Sequence, residues 1–325
     1  VGKHIFKVKE PAGQTAGMTY DPEEYELTVT VNANATAAAN TVIIENKYKP
    51  ADSDGFTLNG KFQKTLVSNV ELSKLPAGAD SFELKIWEGV DTTADAKATG
   101  TATINSLTKD EQTGKYIGSA NFDFGNTVLT FTEAKEYTYT VKETVGTVAG
   151  MQYDTNTYTL TINVVNNNGK FEVRSATIGS TDMKDGGPFT ITNTFKGAEL
   201  PLDPTTDPTT GEVTPKIVKE LRVTGNGETA VDMTFNVSVK DKDGKEVATG
   251  SAEIKKGAKD KATANFTGLG TLVFPTADEY TFTVKETAGD TSGVTYDAKT
   301  YTLTVKVEAS ETDNSLSVTN TNYRY

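Results

Sequence analysis

The chain has 325 residues, 36% of them hydrophobic and 9% aromatic, enough for real cores in roughly two to three domains. Its formal charge of -12 repels nucleic acid phosphate and anionic lipid, and no run of eighteen apolar residues is present, so nucleic-acid and membrane partners are disfavoured. Cysteine is absent and His4 is the one histidine, which removes disulfides, thiolate metal sites and imidazole-based catalysis; no cofactor or metal and no turnover enzyme is expected.

Self-similarity organises the rest. The first 49 residues contain the block HIFKVKEPAGQTAGMTYDPEEYELTVTV from His4, which reads as strand, glycine-containing turn, Tyr-Asp and strand, followed by a short strand IIENKY ending at Tyr48. No upstream half accompanies it. Residues 1–49 are therefore expected to be the C-terminal part of a truncated β-sandwich repeat, completed from upstream or by another chain, because two or three strands rarely hold together alone.

Residues 50–197 form a complete unit: an opening strand KFQKTL from Lys61, the same block as YTYTVKETVGTVAGMQYDTNTYTLTINV from Tyr137, and a closing ITNTF ending at Phe195. Residues 198–212 lie within a Pro-, Thr- and acid-rich stretch and are predicted to be a stiff, extended linker. Residues 213–325 repeat the complete pattern, with KIVKEL from Lys216, the block YTFTVKETAGDTSGVTYDAKTYTLTVKV from Tyr280, and VTNTNY ending at Tyr323. The abundance of Thr and Val and the period-two alternation give an all-β reading: tandem immunoglobulin-like antiparallel β-sandwich domains.

Strand side chains alternate between faces, so the phase of the apolar residues marks the polar ones that point inward. Tyr137, Tyr139 and Val141 share a face with Glu143; Tyr280, Phe282 and Val284 share one with Glu286; Phe6 and Val8 share one with Glu10. On the opening strands the same test turns Lys64 and Lys219 inward. On the closing strands it turns in Asn193, Asn320 and Asn46, the last having no lysine in its own unit.

A buried unpaired ammonium or carboxylate is strongly unfavourable, so these groups are expected to meet. Two outcomes fit. One is a Lys-Glu ion pair with a hydrogen-bonded Asn. In the other, desolvation leaves a neutral amine beside a carboxylic acid that polarises the amide, and the amine displaces ammonia to form a Lys-Asn isopeptide bond, once per domain. The Asp residues after tyrosine (Asp21, Asp154, Asp297) read as turn formers, and Trp87 as a core or loop-packing residue.

The segments YTYTVKE, Gly-x-x-x-Gly with Tyr-Asp, YTLTINV and ITNTF resemble the isopeptide-containing domains of streptococcal-type major pilins and related repeats of Gram-positive surface proteins. The resemblance implies autocatalytic bonds between Lys64 and Asn193 assisted by Glu143, and between Lys219 and Asn320 assisted by Glu286. It further implies an extracellular, cell-wall or pilus location and a structural role as pilus shaft or adhesin stalk, with covalent or strand-complemented self-assembly. A complete sorting signal and a clear pilin lysine motif are missing from the sequence, so a stalk fits as well as a polymerised shaft. The alternative is a ligand-binding adhesin module recognising a host glycan or protein.

Overall fold

A computed structural model describes residues 1–15, 17–48, 53–167, 169–214, 216–225 and 227–324. The boundary expected at 49/50 falls outside the described residues. Strands dominate the protein, and among the described residues no helix is long and apolar enough to cross a membrane.

The middle unit is a two-sheet sandwich. Its larger sheet runs in the order Thr181–Asp182, Lys170–Ile178, Tyr158–Asn167, Glu136–Glu143, Ser81–Glu88, Ala98–Thr103. Its smaller sheet runs Thr108–Lys109, Tyr116–Asn121, Phe62–Ser68, Phe189–Phe195, Met151–Gln152. Alternation drives both: along Phe62–Ser68 every second residue is buried, as the period of two requires. Phe62, Leu66, Leu84, Val141, Ile162 and Phe195 are fully buried between the sheets. The opening strand Phe62–Ser68 and the closing strand Phe189–Phe195 are neighbours and run parallel, with Lys64 opposite Ile191 and Leu66 opposite Asn193. The two chain ends of this sandwich therefore leave adjacent strands at opposite tips.

The segment expected to be an extended linker is instead folded. Ala198–Pro201 pairs with Thr271–Phe274, Leu202 is completely buried in the last unit's core, and the Asp203 carboxylate accepts from the Leu269 and Gly270 amides. Thr205–Thr206 then pairs with Val213–Thr214. Composition misled here because Ala198, Leu200 and Leu202 supply an apolar period of two that the surrounding Pro and Thr mask. Pro201, lacking an N–H, is tolerated on such a two-stranded edge.

The last unit has a five-stranded sheet in the order Glu246–Ile254, Met233–Lys240, Glu279–Thr287, Thr300–Ala309, Leu316–Arg324, with Val218–Arg222 pairing Lys261–Asn265 across the core. Leu316–Arg324 was expected to close the sandwich, as Phe189–Phe195 does. It instead pairs antiparallel with Thr300–Ala309, the place taken by Lys170–Ile178 in the middle unit. Both pairings carry a register shift at the corresponding position, Asn163/Val164 in one and Lys306/Val307 in the other.

The first segment is half a sandwich. Gly2–Lys9, Glu24–Val31 and Ala37–Ala39 form one sheet, and Met18–Thr19 pairs with Lys47–Tyr48. Its inward face is uncovered: Phe6 is 53% exposed, whereas its counterpart Tyr139 is 3% exposed. The middle and last units touch directly. Leu316 packs against both cores, Gly150 N–H donates to Asn314 O, and Asn314 Nδ2 donates to Thr147 O.

Candidate functional site

The opening, glutamate and closing strands of the middle unit bring Lys64, Glu143 and Asn193 together in the core, at 0%, 5% and 0% exposure. Lys64 Nζ donates to Glu143 Oε2 at 2.5 Å, and Asn193 Nδ2 donates to Glu143 Oε1 at 2.5 Å. One carboxyl group thus bridges the amine and the amide nitrogen. The Phe82 ring lies 4.6 Å from Lys64 Nζ and closes the site on that side.

Burial pulls the Lys64 amine down to about 8 against the opposing pull of Glu143, and burial pushes the Glu143 carboxyl up. Both shifts move the pair from ammonium and carboxylate toward amine and carboxylic acid.

A further group belongs to the site that phase alone did not reveal. The Asp154 backbone N–H donates to Asn193 Oδ1 at 2.9 Å, a position from which a donor can stabilise negative charge on an amide oxygen, and Tyr158 OH donates to Asp154 Oδ2 at 2.5 Å. The signal was present in the sequence as the Tyr-Asp pair and the tyrosine four residues after the Asp in every copy: Asp21 with Tyr25, Asp154 with Tyr158, Asp297 with Tyr301. These Asp residues do shape turns, as read, but the turn also aims an amide into the core. Trp87 is a loop-packing residue whose Nε1 donates to Ala94 O.

The last unit assembles two of the three residues. Lys219 Nζ donates to Glu286 Oε1 at 2.5 Å with both residues buried, and the Phe235 ring lies 4.3 Å from the amine. Asn320 does not join them. It is exposed on Leu316–Arg324, opposite the exposed Lys306, because the register shift beside it turns the side chain to the outer face. The tripeptide Thr-Asn-Thr occurs in both units, but at non-equivalent places in the fold. Here the Asp297 N–H donates to Glu286 Oε2 at 2.6 Å, whereas the corresponding Asp154 N–H donates to Asn193.

The first segment assembles the complementary two. Asn46 Nδ2 donates to Glu10 Oε1 at 2.9 Å and the Asp21 N–H donates to Asn46 Oδ1 at 3.0 Å. Glu10 Oε2 is buried and, among the described residues, finds no partner. That oxygen is where Lys64 binds in the middle unit. Tyr25 OH donates to Asp21 Oδ2, which holds the Asp21 carboxyl below its usual range. No group of three or more potential metal-ligating side chains occurs among the described residues.

Comparison with solved structures finds the major pilin protein T-13 of Streptococcus pyogenes at 19% identity, covering 81% of this chain and 92% of that one with a TM-score of 0.30. A second major pilin from the same organism is 17% identical over 81% of this chain and 98% of its own, with a TM-score of 0.31. The T3.2 major pilin, also from that organism, is 17% identical over 83% of this chain and 92% of its own, at 0.32. No curated protein matches the chain. The FctA family model, described as a Spy0128-like isopeptide containing domain, matches twice, over residues 60–196 and 215–324. Two matched stretches spanning most of the sequence, each holding an inward Lys and Glu, establish that the chain belongs to this family of pilin-type isopeptide domains.

Proposed function

We propose that the protein is a load-bearing segment of a Gram-positive surface fibre, a pilus shaft or adhesin stalk, whose middle sandwich locks itself with a Lys64-Asn193 isopeptide bond. The observation that carries this reading is the Glu143 carboxyl bridging Lys64 Nζ and Asn193 Nδ2 inside the buried core. Lys64 Nζ, uncharged, attacks Asn193 Cγ while the Asp154 amide steadies the developing oxyanion. Glu143 relays a proton from the attacking nitrogen to Nδ2, the C–N bond to Nδ2 breaks, and ammonia leaves. The step occurs once, so the protein matures rather than turns over substrate.

The mechanical consequence follows from the strand order. Tension enters at the start of Phe62–Ser68 and leaves at the end of the parallel Phe189–Phe195, so these strands shear past each other. A bond between them carries the load past the intervening chain, which otherwise would extend by roughly 400 Å at about 3.3 Å per residue. This suits a tether outside the cell, where the absence of cysteine is matched by a crosslink that reductant does not cleave.

Intact mass under denaturing conditions tests the reading. The expected value is about 17 Da below the sequence mass, one ammonia, with a branched proteolytic fragment joining Lys64 to Asn193. Full sequence mass with Lys64 and Asn193 on separate fragments would reject it.

A further inference from the structure

The outer face of the middle unit's larger sheet carries a charge arrangement that the fold does not call for. Lys85 on Ser81–Glu88 and Lys142 on Glu136–Glu143 stand directly opposite one another across neighbouring antiparallel strands. Both are half-buried on the face turned away from the core, and like charges so placed are destabilising. Lys85 pairs with Glu83 at 3.0 Å, but Lys142 has no ion pair among the described residues. Two residues after Lys85, on the same face, comes Trp87, the chain's one tryptophan.

These three side chains line a depression of about 390 Å³, with the hydroxyl-bearing Thr92, Thr144 and Thr155 around them. The chain builds it deliberately. After Glu88 it turns at Gly89, whose φ of 71° is left-handed, and residues 89–97 arch back so that Trp87 Nε1 donates to Ala94 O. That bond satisfies the indole edge and fixes the ring where it lines the depression. The Glu143 carboxyl, the one acid among the lining residues, is turned into the core and engaged by Lys64 and Asn193. Two ammonium groups therefore meet here, one of them offset by Glu83, in a chain whose net charge is -12. The last unit, built on the same strands, has none of this. Lys285, the counterpart of Lys142, faces Ser238, and Lys240 stands in the place of Trp87. Residues 241–245 there make a tight turn, in which the Asp241 N–H donates to Lys245 O, instead of an arch. The sandwich thus folds without the lysine pair, the tryptophan or the arch.

We propose that this depression binds a saccharide carrying one anionic group, a carboxylate or a sulfate. The oxyanion takes charge-assisted hydrogen bonds from Lys85 and Lys142 and relieves their mutual repulsion. The apolar C–H face of the sugar ring lies on the Trp87 ring, and the threonine hydroxyls bond the hydroxyls of the sugar. An acidic peptide satisfies the lysines but has no ring to lay on the indole and no row of hydroxyls for the threonines. The site is separate from the chemistry of Lys64 and Asn193 and does not depend on a bond between them.

With a single tryptophan in the sequence, the intrinsic indole fluorescence of the full chain reports on this site alone. Sialyllactose, which has one carboxylate, and a monosulfated disaccharide are titrated separately. At least one is expected to shift the emission saturably, and the tighter of the two identifies the anion; lactose leaves the emission unchanged. Lys142→Gln is expected to weaken binding about tenfold while the melting temperature stays level or rises, since the like-charge opposition is gone. Lys256→Gln, at an exposed position in the last unit, binds as wild type. Absence of a saturable shift with either anionic sugar overturns the site. So does an equal response to lactose, an unchanged affinity in Lys142→Gln, or tighter binding of a glutamate-rich peptide than of either sugar.

Discussion

Replacing Glu143 by Gln keeps the size of the side chain but removes the group proposed to exchange protons between Lys64 and Asn193. The proposed bond should then fail to form, and the magnitude follows from the loop it would close. Positions 64 and 193 enclose about 130 residues, for which the chain-entropy relation gives about 5 kcal/mol. A sandwich of this size has an unfolding entropy of about 0.3 kcal/mol/K, so the midpoint of the middle unit should fall by about 17 °C, with the mass rising by one ammonia. Temperature alone does not discriminate, because disrupting a buried ion pair also costs about 3 to 5 kcal/mol. Two further measurements separate the cases. An ionic triad predicts unchanged mass in wild type and variant alike. It also predicts that Lys64→Met, Glu143→Leu and Asn193→Leu combined would be near neutral in stability, whereas loss of a crosslink leaves the triple variant about 17 °C below wild type. Wild type at full sequence mass together with a near-neutral triple variant would refute the reasoning.

In Asn193→Ala, Lys64 stays unlinked, and its folded value of about 8 lies below the ordinary 10.5. The unfolded chain then binds more protons between those values, so stability rises with pH across that window, by up to about 3 kcal/mol, measurable as a rising urea midpoint from pH 8 to 10. Wild type, its amine consumed, should lack that rise. Tyr158→Phe removes one of the two hydrogen bonds that hold the Asp154 carboxylate and loosens the turn that aims its amide at Asn193; freshly made protein should lose ammonia roughly tenfold more slowly by time-resolved mass, with the final mass that of the bonded variant. Leu316→Ala removes the side chain shared by two cores and should cost about 1 to 2 kcal/mol, seen in calorimetry as wider separation of the two units' transitions. An unchanged thermogram would show that the contact does not couple them.

Repetition and phase were enough to read the all-β class, the tandem units, and Lys64, Glu143 and Asn193 as one buried group. A strand's period of two assigns each residue to a face without knowledge of its neighbours, so an inward charge in an apolar row is visible in one dimension. Phase also turned Lys219 and Glu286 inward, and both are buried. It failed at Asn320, where Val318 and the Thr-Asn-Thr motif gave the right local pattern in the wrong strand. Which strand lies beside which is a property of sheet order, and a single register shift reverses the faces after it. The same limit hid the Asp154 amide, since a backbone donor has no side chain to betray it, and hid the folding of residues 198–202, whose partner strand at Thr271–Phe274 lies some seventy residues away. The sequence by itself determined the repeat and the alternation of faces along most strands. Only the tertiary structure decided which inward residues meet, because contact between distant strands depends on their order and register across the sheets, and neither is written in the alternation along any one of them.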